Sequence, residues 1–132
     1  MKASEVMNPI RDLDAFTRAY VECALWSELD EDGVPLDSNY SWTDIAPHVL
    51  QKMMDDCKAF QAAHGDEIVN GCLTDLDAWE QAGHDLWLTR NGHGCGFWET
   101  SDWQEEIGAR LDIAAKAMGE CNLYVGDDGR IS

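Results

Sequence analysis

The stretch "GHDLWLTRNGHGCGFW", Gly83 to Trp98, constrains the fold of this chain more than any other segment. It sets Asn91-Gly92 between two runs rich in Leu, Trp, Thr and Phe. Asn-Gly in that setting is the strongest short-range signal for a two-residue β-hairpin turn. With this turn Arg90 faces His93, Leu88 faces Cys95, Trp87 faces Gly96 and Leu86 faces Phe97. Asp85 then faces Trp98, and His84 faces Glu99. Side chains alternate between the faces of a sheet. Leu86, Leu88, Cys95 and Phe97 therefore form an apolar face, and Asp85, Trp87, Thr89 and Trp98 form the other. Gly94 and Gly96 leave room for the Trp87 indole to lie across the neighbouring strand.

Helical periodicity flanks this segment. Asn8 as N-cap and Pro9 at the first helical position predict a helix over 10–28, with Leu13, Phe16, Tyr20, Ala24 and Leu25 on one face. Ser41 and Asp44 have the spacing of a capping box ahead of a second helix, with Pro47 in its first turn. Val49, Leu50, Met53, Met54, Cys57 and Phe60 form its stripe, and Gly65 is its expected end. A short helix follows, with Thr74 and Asp77 at its start and Gly83 at its C-terminus. The last helix is expected over 102–118, with Ile107, Leu111, Ala114, Ala115 and Met118 facing the core. The tail "CNLYVGDDGRIS" reads as a strand, a turn at Gly126 to Gly129, and a strand stub. Helices, hairpin, helix and strand in one chain of 132 residues predict a single domain with a loose lead-in at 1–8. Its expected class is α+β, with helices packed on one face of a small antiparallel sheet of three or four strands that includes the central hairpin.

Charge narrows the function. Nine Lys and Arg stand against 26 Asp and Glu, a net charge of −17. So acidic a domain repels nucleic acid and anionic membrane, and it is attracted to basic surfaces. The same charge would serve solubility alone equally well. The start "MKASEVMNPI" has no apolar core of a signal peptide, and no run approaches a membrane span, so neither is expected. Five cysteines, Cys23, Cys57, Cys72, Cys95 and Cys121, have irregular spacing and no CxxC pair. They read as reduced thiols in a cytosol.

No catalytic constellation stands out. Asp30, Asp32 and Gly33 do not keep the alternation of a calcium loop, and Ser41 holds the place of its terminal Glu. His84, His93 and Cys95 are zinc-capable, but the hairpin separates His84 from His93 by roughly 20 Å, so no metal or other cofactor is expected. Cys95 paired with His93, His64 or His48 would be a nucleophile and base, yet the register turns Cys95 toward the core. His84 beside Asp85 has the form of an oriented general base, with no nucleophile near it. The second hairpin face, with Trp87 and Trp98 beside the turn residues Arg90 and His93, is either covered by another element or open as an aromatic recognition surface.

The stretch "QAGHDLWLTRNGHGCGFWET" resembles a segment of small uncharacterised proteins of bacteriophages and prophages, whose core is similar to "GHDFWLTRNGHGxGFW". The match runs mainly from Ala82 to Glu99, with Leu86 where those proteins commonly have Phe. "LYVGDDG", Leu123 to Gly129, is also similar. The resemblance implies a phage-related origin and the cytoplasm of a bacterial host, and it carries over no catalytic residue.

Together these features lead us to expect a non-enzymatic inhibitor of a host protein complex with a basic surface. It would act in the manner of anti-CRISPR or anti-restriction proteins, its carboxylates standing in for phosphates. The candidate carboxylates are Glu28, Asp30, Glu31, Asp32 and Asp37, with Asp55 and Asp56 near them, and Glu105, Glu106 and Asp112 on the last helix. The alternatives are an accessory phage protein that binds a partner through the Trp87, Arg90, His93 and Trp98 face, or a small enzyme or ligand-binding domain using His84 or His93.

Overall fold

The computed structural model describes residues 13–74, 77–93 and 96–132. Four α-helices dominate it: α1 (Ala15–Ser27), α2 (Pro47–Gly71), α3 (Ala78–Arg90) and α4 (Glu105–Ala117). Among the described residues strand pairing is limited to isolated bridges, Leu29 with Pro35, Ile45 with Ile131, Cys72 with Trp103, and Val125 with Ile131. The expected α+β class, with an antiparallel sheet and a central hairpin, is therefore overturned: the described residues form a helical assembly without a sheet.

The physical reason lies in α3. Leu86, Trp87, Leu88, Thr89 and Arg90 are all buried. A helix whose second half is buried on nearly all sides shows little amphipathic period, so its mixture of apolar and polar residues imitates the alternation of a strand. Asn91-Gly92 ends this helix instead of turning a hairpin. Gly92 takes φ +73°, its N–H donates to Thr89 O at 3.3 Å, and the His93 N–H donates to Leu88 O at 3.0 Å. This is the Schellman arrangement, in which a left-handed glycine closes a helix C-terminus.

Gly83 does not end a helix either. It lies inside α3, and a Cβ there would run into the backbone carbonyl of Phe16. The absent side chain lets α3 settle directly on α1, the closest pairing in the fold. On α1, Asp14 is the N-cap, its Oδ1 accepting from the Thr17 N–H at 2.8 Å. Asn8 and Pro9, the expected start, lie outside the described residues. The expected apolar face is buried in full, from Leu13 through Phe16, Tyr20 and Ala24 to Leu25.

The Ser41–Asp44 pair caps a 3₁₀ turn, Trp42–Asp44, with the Ser41 N–H donating to Asp44 Oδ2 at 2.9 Å. Pro47 opens α2 at its first turn. This helix continues past Gly65 to Gly71, bent where His64 leaves helical geometry (φ −128°, ψ 15°). Gln104 caps α4, its Oε1 accepting from the Ile107 N–H at 2.8 Å. In the tail, Tyr124 and Ser132 exchange backbone bonds of 2.9 and 2.8 Å around a turn closed by Gly129 N–H to Gly126 O at 3.0 Å.

A run of aromatic contacts links the helices. Phe16 meets Phe60 at 6.1 Å between ring centroids, Phe60 meets Phe97 at 5.8 Å, and Phe97 meets Trp103 edge-on at 5.2 Å. Tyr20 packs edge-on against Trp87 at 5.3 Å. These are the offset and edge geometries that aromatic pairs favour. No helix among the described residues is long and apolar enough to cross a membrane.

Candidate functional site

The Gly83–Trp98 segment is where a site was expected, and Asp85 to Asn91 are all buried within it. Trp87 is fully buried and its Nε1–H donates to Ser27 Oγ at 2.9 Å. Asp85 is buried, and its Oδ2 accepts from Trp103 Nε1 at 2.7 Å and Gln81 Nε2 at 2.9 Å. Thr89 Oγ1 accepts from the Phe97 N–H at 3.1 Å. The Asn91 amide donates to Trp87 O at 3.0 Å and accepts from the Cys121 N–H at 2.7 Å. Each polar group of α3 that leaves water thus finds a partner, as burial requires.

Arg90 joins all four helices. Its guanidinium donates to Tyr20 Oη of α1 at 3.0 Å and to Asp56 Oδ2 of α2 at 3.0 Å. It also donates to the Met118 and Gly119 carbonyls beyond α4, at 3.1 and 2.8 Å. A cation on the last carbonyls of a helix is favourably placed in its dipole field. Burial raises the Asp56 carboxyl pKa, but hydrogen bonds from Lys52 and Arg90 outweigh burial and hold it below the ordinary carboxylate value. Burial pushes the Tyr20 hydroxyl and the Cys57 thiol well above their usual ranges.

The four expected hairpin-face residues are thus divided. Trp87 and Arg90 are interior, while His93 Nε2 lies 3.3 Å from Glu28 Oε2 at the edge of the fold. Trp98 is 41% exposed, with Lys116 Nζ 5.7 Å from its ring centroid. They share no face, since the hairpin that aligned them is absent. Cys95 lies outside the described residues. Among the described residues no group of three or more His, Cys, Asp or Glu is arranged to hold a metal ion.

The carboxylates divide in the same way. Glu28 Oε1 accepts from the Leu123 N–H at 3.3 Å, so Glu28 ties the tail down. Asp56 holds Arg90. Asp55 accepts from Gln51 at 3.0 Å, and Asp112 pairs with Lys116 at 3.1 Å. Glu105 and Glu106 are exposed in the first turn of α4, where the helix dipole favours them. Asp30, Glu31, Asp32 and Asp37 lie elsewhere, on a concave surface.

That surface consists of three adjoining clefts. The first, of about 420 Å³, is walled by Trp26 and His84, with Glu22 from α1 and Glu80 from α3. The second, also about 420 Å³, shares Glu22 and Trp26 with it and adds Asp37, Tyr40 and Trp42. The third, about 310 Å³, shares Tyr40 with the second and brings Asp30, Glu31 and Asp32 beside Asp127. The Asp30 loop is set by its own turn, Asp30 Oδ1 accepting from the Asp32 and Val34 N–H groups at 2.8 and 3.0 Å. Among the described residues no Lys or Arg lines any of the three clefts. Lys52, Arg90, Arg110 and Lys116 pair elsewhere, with Asp56, Glu67 and Asp112. Arg18, one turn before Glu22, donates to Leu13 O at 3.5 Å, and Arg130 stands in the tail turn, its carbonyl accepting from the Gly126 N–H at 2.8 Å. The result is one acidic band with an aromatic floor.

Trp26, Glu22, Glu80, Tyr40, Trp42 and Asp127 were not among the expected site residues. One signal was available for Trp26. Arg18, Glu22 and Trp26 recur at i, i+4 and i+8, opposite the Phe16, Tyr20 and Ala24 face. A tryptophan on the polar face of an amphipathic helix is a surface tryptophan.

No protein-family model, curated protein or solved structure matches this chain.

Proposed function

We propose that this chain is a binding protein whose acidic band docks on a basic protein surface of the kind that otherwise holds nucleic acid, and that it thereby inhibits a host nucleic-acid-binding complex. One observation carries the reading: carboxylates from α1, α3, the 28–41 connector and the tail line three joined clefts that no described Lys or Arg lines. Carboxylates grouped in this way accept charge-assisted hydrogen bonds from Lys and Arg, as phosphates do. Field lines of one sign concentrated in concavities also speed encounter with a basic partner. The resemblance of Ala82–Glu99 to phage and prophage segments supports a target in the cytoplasm of a bacterial host.

The test is capture from nuclease-treated bacterial lysate. The expected outcome is recovery of a nucleic-acid-binding complex that releases steeply as salt rises and loses its DNA or RNA binding when this protein is added. Partners that are not basic, or retention indifferent to salt, would refute the proposal.

A further inference from the structure

Trp26 leaves 58% of its surface open. Its indole faces the His84 ring at 6.2 Å between centroids, tilted by 36°. Both rings line the first cleft, together with Ala19, Glu22 and Glu80. The two carboxylates stand on two helices that pack directly together through Gly83 and Phe16. Their separation is therefore held by the core and not by a loop.

This geometry selects among side chains. An anionic group is repelled by the two carboxylates. A neutral apolar group would cover the carboxylates without pairing them, which is costly. A compact ammonium pairs with carboxylates but keeps its hydration and has no flat face to lay on an indole. A guanidinium is planar, weakly hydrated, stacks on tryptophan and presents several N–H groups to carboxylates at once. We infer that the Trp26–His84 cleft is an arginine-binding anchor, which seats one arginine side chain of the partner's basic segment while the rest of the band pairs with neighbouring charges. This inference rests on the proposed docking to a basic surface and names the side chain that it seats.

The test is calorimetric titration of the full chain with hexa-arginine and hexa-lysine peptides at low ionic strength. The anchor requires hexa-arginine to bind several-fold more tightly. Trp26→Ala should lower hexa-arginine affinity by about tenfold and erase the preference. Trp98→Ala, which alters the other strongly exposed tryptophan, should change neither affinity. Glu22→Gln with Glu80→Gln should weaken hexa-arginine binding more than Glu105→Gln with Glu106→Gln, which keeps the test independent of any role of Trp26 in folding. If the two peptides bind alike and Trp26→Ala binds as the parent does, the anchor is refuted while docking by charge stands. If neither peptide binds, the docking proposal falls with it.

Discussion

Arg90 Nη1 lies 3.0 Å from Asp56 Oδ2, and the Arg90 side chain is only 3% exposed while Asp56 is 22% exposed. A guanidinium withdrawn from water is tolerable only when it is paired and its remaining donors are used. Here Tyr20, Met118 and Gly119 take those donors.

Arg90→Met should therefore be destabilising, by about 3 kcal/mol, because it leaves Asp56 with only the exposed Lys52 as partner and frees the end of α4. Asp56→Asn should cost about 2 kcal/mol at neutral pH. The folded-state pKa of Asp56 is lowered from the ordinary 3.8. Its contribution is thus fully present above 3.8 and is lost as pH falls through the lower folded-state value. The stability gap between the parent and Asp56→Asn should be constant from neutral pH down to about 5 and should close in strong acid. Urea denaturation across pH measures it.

The contact between Gly83 and the Phe16 carbonyl gives a second expectation. A methyl group at Gly83 meets backbone, which cannot rotate away. Gly83→Ala would raise intrinsic helix propensity by about 1 kcal/mol, yet α1 and α3 would have to part. The second effect should win, with a net loss of about 2–3 kcal/mol. Gly92→Ala tests the other motif glycine: its Cβ meets nothing within 4 Å, but φ +73° is unfavourable for alanine. That change should cost about 1 kcal/mol. Thermal or urea unfolding of the two variants measures both values.

Salt should act in opposite directions on folding and binding. A net charge of −17 repels itself in the compact state, and added salt screens that repulsion. Raising sodium chloride from low to physiological strength should increase stability by roughly 1 kcal/mol, or about 3–6 °C in Tm. The same change should weaken docking to a basic partner. Calorimetric melting and titration in matched buffers check the pair of signs.

The amphipathic helices were legible because one face of each meets water. Phe16, Tyr20, Ala24 and Leu25 on α1, with Leu13 just before it, show the helical period, and the structure buries them all. The segment from Asp85 to Arg90 misled for the opposite reason: buried at every position, it shows no period to read. Asn91-Gly92 added to the error, since a left-handed glycine closes helices as readily as it turns hairpins. The acidic band was half legible. Asp30, Glu31, Asp32 and Asp37 are neighbours in the chain, and the first three line one cleft while Asp37 lines the next. Glu80 and Asp127 join them only through the packing of α3 on α1 and the return of the tail, which no local pattern encodes.

The most direct test of the band compares two variants of equal net charge. One carries Glu31→Gln, Asp32→Asn and Asp37→Asn within the clefts, and the other Asp55→Asn, Glu105→Gln and Glu106→Gln outside them. Each is titrated against a mixed arginine–lysine peptide at low ionic strength. If the band is the docking face, the first variant loses about tenfold or more in affinity and the second stays within about twofold of the parent. Equal losses in the two variants would show that net charge alone governs attraction and would contradict the account.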